Sequence, residues 1–211
     1  MSRRFRGAAP LAVLAALAAS PLLAADAKTP AEQKAPAQKA GTLSPADVNK
    51  VLDQAEAAAK LEESLLRVDG SGAKQKTRMH IMVVDRSGKV VGRRSMADAW
   101  VGSVAIAKSK AFTALAFSSN ENALTTRTLG ALTQPGGPLW NIGNSNADVG
   151  LIEFPGGVPL YKGNALVGAV GVSGDGVEQD EHVASAGAKG FEPPAAIRVD
   201  TVTKGAVPYV K

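Results

Sequence analysis

Residues 165–176 read Ala-Leu-Val-Gly-Ala-Val-Gly-Val-Ser-Gly-Asp-Gly. The uncharged run Ala165–Ser173 predicts a strand, and Gly174-Asp175-Gly176 turns it into a last helix over 179–189. Asp175 is placed to cap that helix, with Glu178 three residues later in capping-box spacing. Reading backwards, Lys162-Gly163-Asn164 is a hairpin loop that joins this strand to Val158-Pro159-Leu160-Tyr161. Pro155-Gly156-Gly157 turns from a further expected strand, Leu151-Ile152-Glu153-Phe154. Strands linked by tight turns pair antiparallel, so this half is no parallel βαβ unit.

The first half also reads as helices and hairpin-linked strands, with no internal repeat visible. Ser44-Pro45 with Asp47 marks a helix start, and Val48, Val51, Leu52, Ala55, Ala58 and Ala59 recur at helical spacing. Leu65 and Leu66 extend that spacing, and Gly70-Ser71-Gly72 ends it. Thr77 to Val84 is apolar in both alternating sets, which predicts a strand covered on both faces. Asp85-Arg86-Ser87-Gly88 turns it into a second strand over 89–94. A second helix, rich in Ala, starts at Ser103. Residues 118–149 are read as a long loop, and 191–211 as a tail. About five strands and three helices with hairpin links make an α/β (α+β) domain, an antiparallel sheet flanked by helices.

The chain has 211 residues, 45% of them hydrophobic, which is too apolar for a disordered protein. Its net charge of +5 invites a nucleic-acid partner, but the charge is unevenly placed. Residues 1–25 hold three Arg and no acid; residues 26–41 hold three Lys against one Asp and one Glu. The remainder is close to neutral and carries few aromatics to stack on bases, so no nucleic-acid role is expected. Cysteine is absent, which excludes disulfides, Cys-based zinc sites, thiolate catalysis, covalent c-type haem and a lipoprotein anchor.

Arg3, Arg4 and Arg6 precede an apolar run from Leu11 to Leu23 and an Ala25-Asp26-Ala27 cleavage pattern. Residues 1–27 are read as a secretory signal peptide, because that apolar run is short of the ~20 residues needed to cross a bilayer. Residues 28–42, built of Ala, Pro, Lys and Gln, are read as a mobile tether. The domain is then 43–211, with no membrane span in the mature protein and a periplasmic or secreted location.

The first half holds Val83-Val84-Asp85, Met96-x-Asp98-Ala99 and Ala107-x-x-Lys110-Ala111-x-Thr113-Ala114. The second half holds Phe154 to Tyr161, Gly168 to Gly174, Glu178-Gln179-Asp180-Glu181 and the closing Val207-Pro208-Tyr209-Val210-Lys211. Together these motifs resemble the GlcG/HbpS-type haem-binding family, in its exported form. The resemblance implies a profilin-like three-layer domain with a five-stranded antiparallel sheet, assembly into a homo-oligomer, and a tetrapyrrole ligand. Haem is the implied cofactor and a corrinoid the alternative. In a related domain fused to corrinoid adenosyltransferases, haem is held by a His of the first helix. Residues 44–67 here contain no His, so that ligand does not carry over.

The candidate iron ligands are therefore His182, in the last helix, and His80, mid-strand; Tyr161 is an oxygen alternative. His182 is the candidate for the haem iron itself. Gly156 and Gly157 form a turn beside a pocket, and Ser173 and Gly174 deliver a strand into a helix start that can hold a carboxylate. Lys110 and Arg127 are candidate partners for propionates. Each has a plain alternative: a hydrogen-bonded core His, a solvated helix face, a glycine that only permits a turn, a surface charge. No catalytic constellation stands out. Ser173 lacks a nucleophile-elbow context, and the side chains of Asp180 and Glu181, consecutive on a helix, diverge. The function expected is noncovalent haem capture, storage or redox sensing. The alternative is a small-molecule enzyme or accessory subunit of a periplasmic oxidation pathway.

Overall fold

A computed structural model describes residues 41–142 and 150–199. The expected signal peptide, most of the tether, part of the middle loop and the closing Val207–Lys211 motif lie outside the described residues.

Helix α1 (Pro45–Leu61) begins with a complete capping box: Asp47 N–H donates to Ser44 Oγ at 3.2 Å, and Ser44 N–H to Asp47 Oδ2 at 2.7 Å. It ends sooner than its sequence periodicity predicts. Lys76 Nζ and Thr77 Oγ1 donate to the carbonyls of Leu61 (2.9 Å) and Ala59 (2.7 Å), so long-range donors close the helix end. Leu65 and Leu66 instead belong to strand β1 (Glu63–Val68), which pairs antiparallel with β2 (Lys74–Lys76). Gly70-Ser71-Gly72 is the turn of that hairpin rather than a helix stop.

The main sheet has four strands: β3 (His80–Asp85), β4 (Val90–Ser95), β5 (Gly157–Lys162) and β6 (Ala165–Ser173). Their order is β4-β3-β6-β5, and all neighbours are antiparallel. His80 stands opposite Ser173, and Asp85 opposite Gly168. The expected strand at Leu151–Phe154 is not formed. That stretch is irregular, and its Ile152 N–H donates to Thr113 Oγ1 at 2.9 Å instead of to a sheet neighbour. Among the described residues the expected five-stranded sheet is thus four-stranded with a separate two-stranded hairpin, and the mixed, antiparallel fold class stands.

Helix α2 (Ser103–Ala116) covers one face of the sheet, and α1 with α4 (Val177–Gly187) covers the other. Ile81, Val83, Val158, Leu160, Val170 and Val172 meet Val48, Val51, Leu52, Ala55 and Val183 in the larger core. Val84, Ala169 and Tyr161 meet Ala111, Ala114 and Leu115 in the smaller one. Gly171 explains why α2 lies so close: a Cβ there would overlap the Ala107 carbonyl and the Ala111 amide. The middle segment read as a loop contains one short helix, α3 (Thr126–Leu132), capped by Thr125. The residues 191–199 read as tail are partly anchored: Phe191 is buried and its carbonyl accepts the Tyr161 amide at 2.8 Å.

Candidate functional site

At the end of the sheet where β6 runs out, α2 and α4 both begin and the β1 hairpin folds over. A cleft of about 240 Å³ lies there. Leu66, Trp100, Ile106, Phe154 and Val177 give it apolar walls, and Ser103, Ser173, Gly174 and Asp175 line it with Lys110 and Asp180. The walls stay in contact with water: Leu66 is 70% exposed, Trp100 62% and Phe154 55%. Large apolar side chains held out together around a concave surface mark a binding surface.

Lys110 projects from α2 past the end of the sheet toward α4. Its Nζ donates to Asp180 Oδ2 at 2.6 Å and to the Val172 carbonyl at 3.1 Å. Burial lowers the amine from its ordinary value against the pull of Asp180, and raises the Asp180 carboxyl against the pull of Lys110. The neutral forms of both partners are favoured relative to free side chains. Gly156, at φ 115°, closes over this pair; a Cβ there would stand 3.0 Å from Asp180 Cβ and 3.1 Å from Lys110 Nζ. Gly157 lies against the Lys110 backbone, and its N–H donates to Thr126 Oγ1 at 2.8 Å. The stretches around Lys110, Gly156 and Asp180 thus converge on one buried cluster.

A second ion pair stands beside it. Arg127 of α3 donates through Nε to Glu181 and through Nη2 to Glu178, the latter at 2.8 Å. Burial works against the Arg127 guanidinium, but the two carboxylates outweigh it and hold it above its ordinary value. Glu181 is raised by its own burial, with Arg127 opposing.

The amides at the β6–α4 turn are held by the chain's own carboxylates. Asp175 N–H donates to Asp180 Oδ1 at 3.1 Å, and Asp175 Oδ1 accepts from the Gly176 and Leu65 amides at 2.9 and 2.7 Å. Asp175 also accepts from the Ser64 hydroxyl. The N-cap position is Gly176, with no side-chain cap; Asp175 ties the β1 hairpin to the sheet end instead of capping α4.

Of the candidates read from the sequence, Lys110, Ser173 and Gly174 line the cleft, and Gly156 and Gly157 pack beneath it. His80 sits below the rim: its Nε2 faces the Trp100 carbonyl at 3.1 Å and its Nδ1 the Ser95 hydroxyl at 2.8 Å. A carbonyl only accepts, so Nε2 carries the proton and His80 holds the Trp100 loop in place. His182 is on the outer side of α4, 58% exposed, with Nδ1 3.2 Å from Glu62 Oε1. Tyr161 is in the smaller core, its hydroxyl donating to the Ser119 carbonyl at 2.7 Å, and burial pushes its pKa up to about 12. Among the described residues, no His, Tyr or Met lines the cleft.

Asp180 and the apolar collar are absent from the sequence-based candidates. Lys110 and Asp180 are separated by 70 positions, so no local pattern links them. Trp100-Val101, an apolar pair between a turn and a helix start, is the signal that marks the collar.

A larger hollow of about 310 Å³ lies at the other end of the sheet, between residues 41–43 and the β3–β4 turn. Its charged groups serve structure. Asp85 Oδ1 accepts the Ser87 and Lys89 amides, and Arg86 Nη1 donates to the Leu166 carbonyl at 2.8 Å. The smaller cleft has the chemistry.

A family model described as haem degrading protein HbpS-like matches residues 43–189. The chain belongs to the HbpS-like family. It is 35% identical over 102 residues to an uncharacterized 15.0 kDa protein from the dhaT-dhaS intergenic region of Citrobacter freundii, covering 48% of this chain and 68% of that protein. It is 33% identical over 104 residues to the corrinoid adenosyltransferase PduO of Salmonella typhimurium, covering 49% of this chain but only 29% of PduO. Among solved structures, the crystallised complex of PduOC with haem is similar at a TM-score of 0.58 and 26% identity, covering 71% of this chain and 94% of that one. The HbpS-like match takes in α1 through α4, and so every residue that lines the cleft.

Proposed function

We propose that this HbpS-like chain is an exported protein that binds a tetrapyrrole, haem first, without a covalent bond. The single observation that carries the reading is the exposed apolar collar of Leu66, Trp100 and Phe154 around the cleft. Family membership and the similarity to a haem complex of PduOC support it. The similarity to part of a corrinoid adenosyltransferase supports a corrinoid as the alternative ligand. Export is supported by the pattern of residues 1–27.

The collar fits the flat apolar ring. The donor set does not fit ligation of iron inside the cleft, because His80 is committed to Trp100 and Ser95 and Tyr161 is in the core. A cleft of about 240 Å³ is also below the roughly 300–1,000 Å³ of typical ligand pockets. The ring would therefore lie against the collar and remain partly outside. His182 is the more exposed imidazole, but it stands on the outer side of α4 and does not line the cleft. Lys110 and Arg127 already face carboxylates, so a propionate would have to compete with them. Assembly into a homo-oligomer is part of the same proposal, since Leu61, Leu65, Val68 and Val101 add exposed apolar area beside the cleft.

Titration of the purified protein with haemin tests this. A saturable Soret shift is expected, weakened in Trp100→Ala and Leu66→Ala. Absence of saturation would overturn the proposal. A changed iron spectrum in His182→Ala, with none in His80→Ala, would assign the iron to His182; no change in either would reject ligation by histidine. The same titration with a cobalamin separates the two ligand classes, and mass measurement in solution tests assembly.

A further inference from the structure

The Lys110 amine is buried in the wall of an open cleft, where it joins α2 to α4 through Asp180. A lysine stem that only filled space could carry its charge out to water. Here the stem runs inward, and just 1% of the side chain meets solvent, while the residue still forms part of the wall of an open cleft. Among the described residues its one charged neighbour within ion-pair distance is Asp180, itself 3% exposed. Gly156 covers the pair on one side, where even a Cβ would stand 2.8 Å from the Val172 carbonyl, so a ligand can reach Nζ only from the cleft side.

We propose that Lys110 is a nucleophilic amine that forms an imine with a small, uncharged carbonyl compound entering this cleft. The lone pair of Nζ adds to the carbonyl carbon while the C=O π pair moves to oxygen, which takes a proton. The nitrogen loses one proton to give the neutral carbinolamine. Its hydroxyl gains a proton and leaves as water while the nitrogen lone pair forms the C=N bond. The iminium then loses its second N–H proton to give the imine. Amine plus carbonyl compound gives imine plus water, with no oxidant or reductant. Asp180, 2.6 Å from Nζ, is the group that holds and returns these protons.

The same geometry selects the substrate. Asp175 and Asp180 put two carboxyl groups at the cleft floor, which disfavours an anionic carbonyl compound such as a 2-oxo acid. Ile106, Phe154, Trp100 and Leu66 favour a short apolar substituent. Burial lowers the amine from its ordinary value, the direction that favours the unprotonated form which attack on a carbonyl needs. Glu181 also faces the amine and opposes that lowering, so the apolar surroundings, not a neighbouring cation, activate it. The inference stands apart from tetrapyrrole binding: a chain that takes up no haem can still form the imine.

The full chain, treated with propionaldehyde and sodium cyanoborohydride at neutral pH, tests the inference by peptide mass mapping. A stable propyl group is expected on Lys110 faster than on exposed Lys60, since only the unprotonated amine adds to a carbonyl. Glyoxylate should label Lys110 more slowly than propionaldehyde does. Ile106→Trp, which narrows the cleft, should suppress labelling of Lys110 and leave Lys60 unchanged. Labelling of Lys110 no faster than Lys60 would overturn the proposal, and so would undiminished labelling in Ile106→Trp.

Discussion

Lys110 Nζ and Asp180 Oδ2 stand 2.6 Å apart and join the helix on one face of the sheet to a helix on the other. The pair passes just beyond the end of β6, where Val172 lends Nζ a second acceptor. It therefore clamps three layers at the lip of the cleft. Removing one partner leaves the other charge buried without compensation, at a cost of about 3–5 kcal/mol. Lys110→Met should lower stability by that order in urea unfolding. Lys110→Met combined with Asp180→Leu should recover most of the loss, because no buried charge is then left alone. Strictly additive losses in the double variant would show that the two groups are not coupled.

Tyr161 gives a contrasting case. Its hydroxyl is bound to the Ser119 carbonyl within the smaller core, away from the cleft residues. Tyr161→Phe removes one hydrogen bond and should cost about 1 kcal/mol. It should leave the haemin titration unchanged. A changed iron spectrum in Tyr161→Phe would place the phenol at the ligand.

What the sequence made legible follows the range of the forces involved. β6 and α4 could be read because apolar alternation and glycine punctuation are local. α1 was predicted too long because Leu65 and Leu66 continue its spacing. What stops the helix is Thr77 and Lys76 on its last carbonyls, and Asp175 holds the Leu65 amide from 110 residues away. Leu151–Phe154 has strand-forming residues but no strand beside it to pair with. Lys110, Ser173 and Gly174, which line the cleft, and Gly156 and Gly157 beneath it could be picked out by residue type. The divergence of Asp180 and Glu181 was also correct. Only the fold shows its use, which is to send one carboxylate to Lys110 and the other to Arg127.

Gly171 carries a prediction about the sheet–helix contact. A methyl group there would overlap the Ala107 carbonyl and the Ala111 amide, both backbone atoms that cannot turn aside. Gly171→Ala should cost at least about 1–3 kcal/mol, the usual range for overpacking. Gly70→Ala meets nothing within 4 Å and should be close to neutral. Equal thermal stability of the two variants would contradict the close approach of α2.

The start of α1 makes stability depend on acid pH. Asp47 accepts from the Ser44 amide and hydroxyl and, at 2.5 Å, from Lys162 Nζ, which ties the helix to the end of β5. The Lys162 bond first, and the Ser44 bonds after it, lower its carboxyl from 3.8 to about 2. The folded state thus prefers the ionised form. Its contribution is fully present above 3.8 and is lost as pH falls through about 2. Asp47→Asn should therefore melt below the wild type at pH 6, and the gap should close between pH 4 and pH 2. Because Ser44 keeps its own bond to the Asp47 amide, Ser44→Ala should cost about 1 kcal/mol at neutral pH on its own account. A melting gap between Asp47→Asn and the wild type that stays constant down to pH 2 would rule out the carboxylate as the tie between α1 and β5.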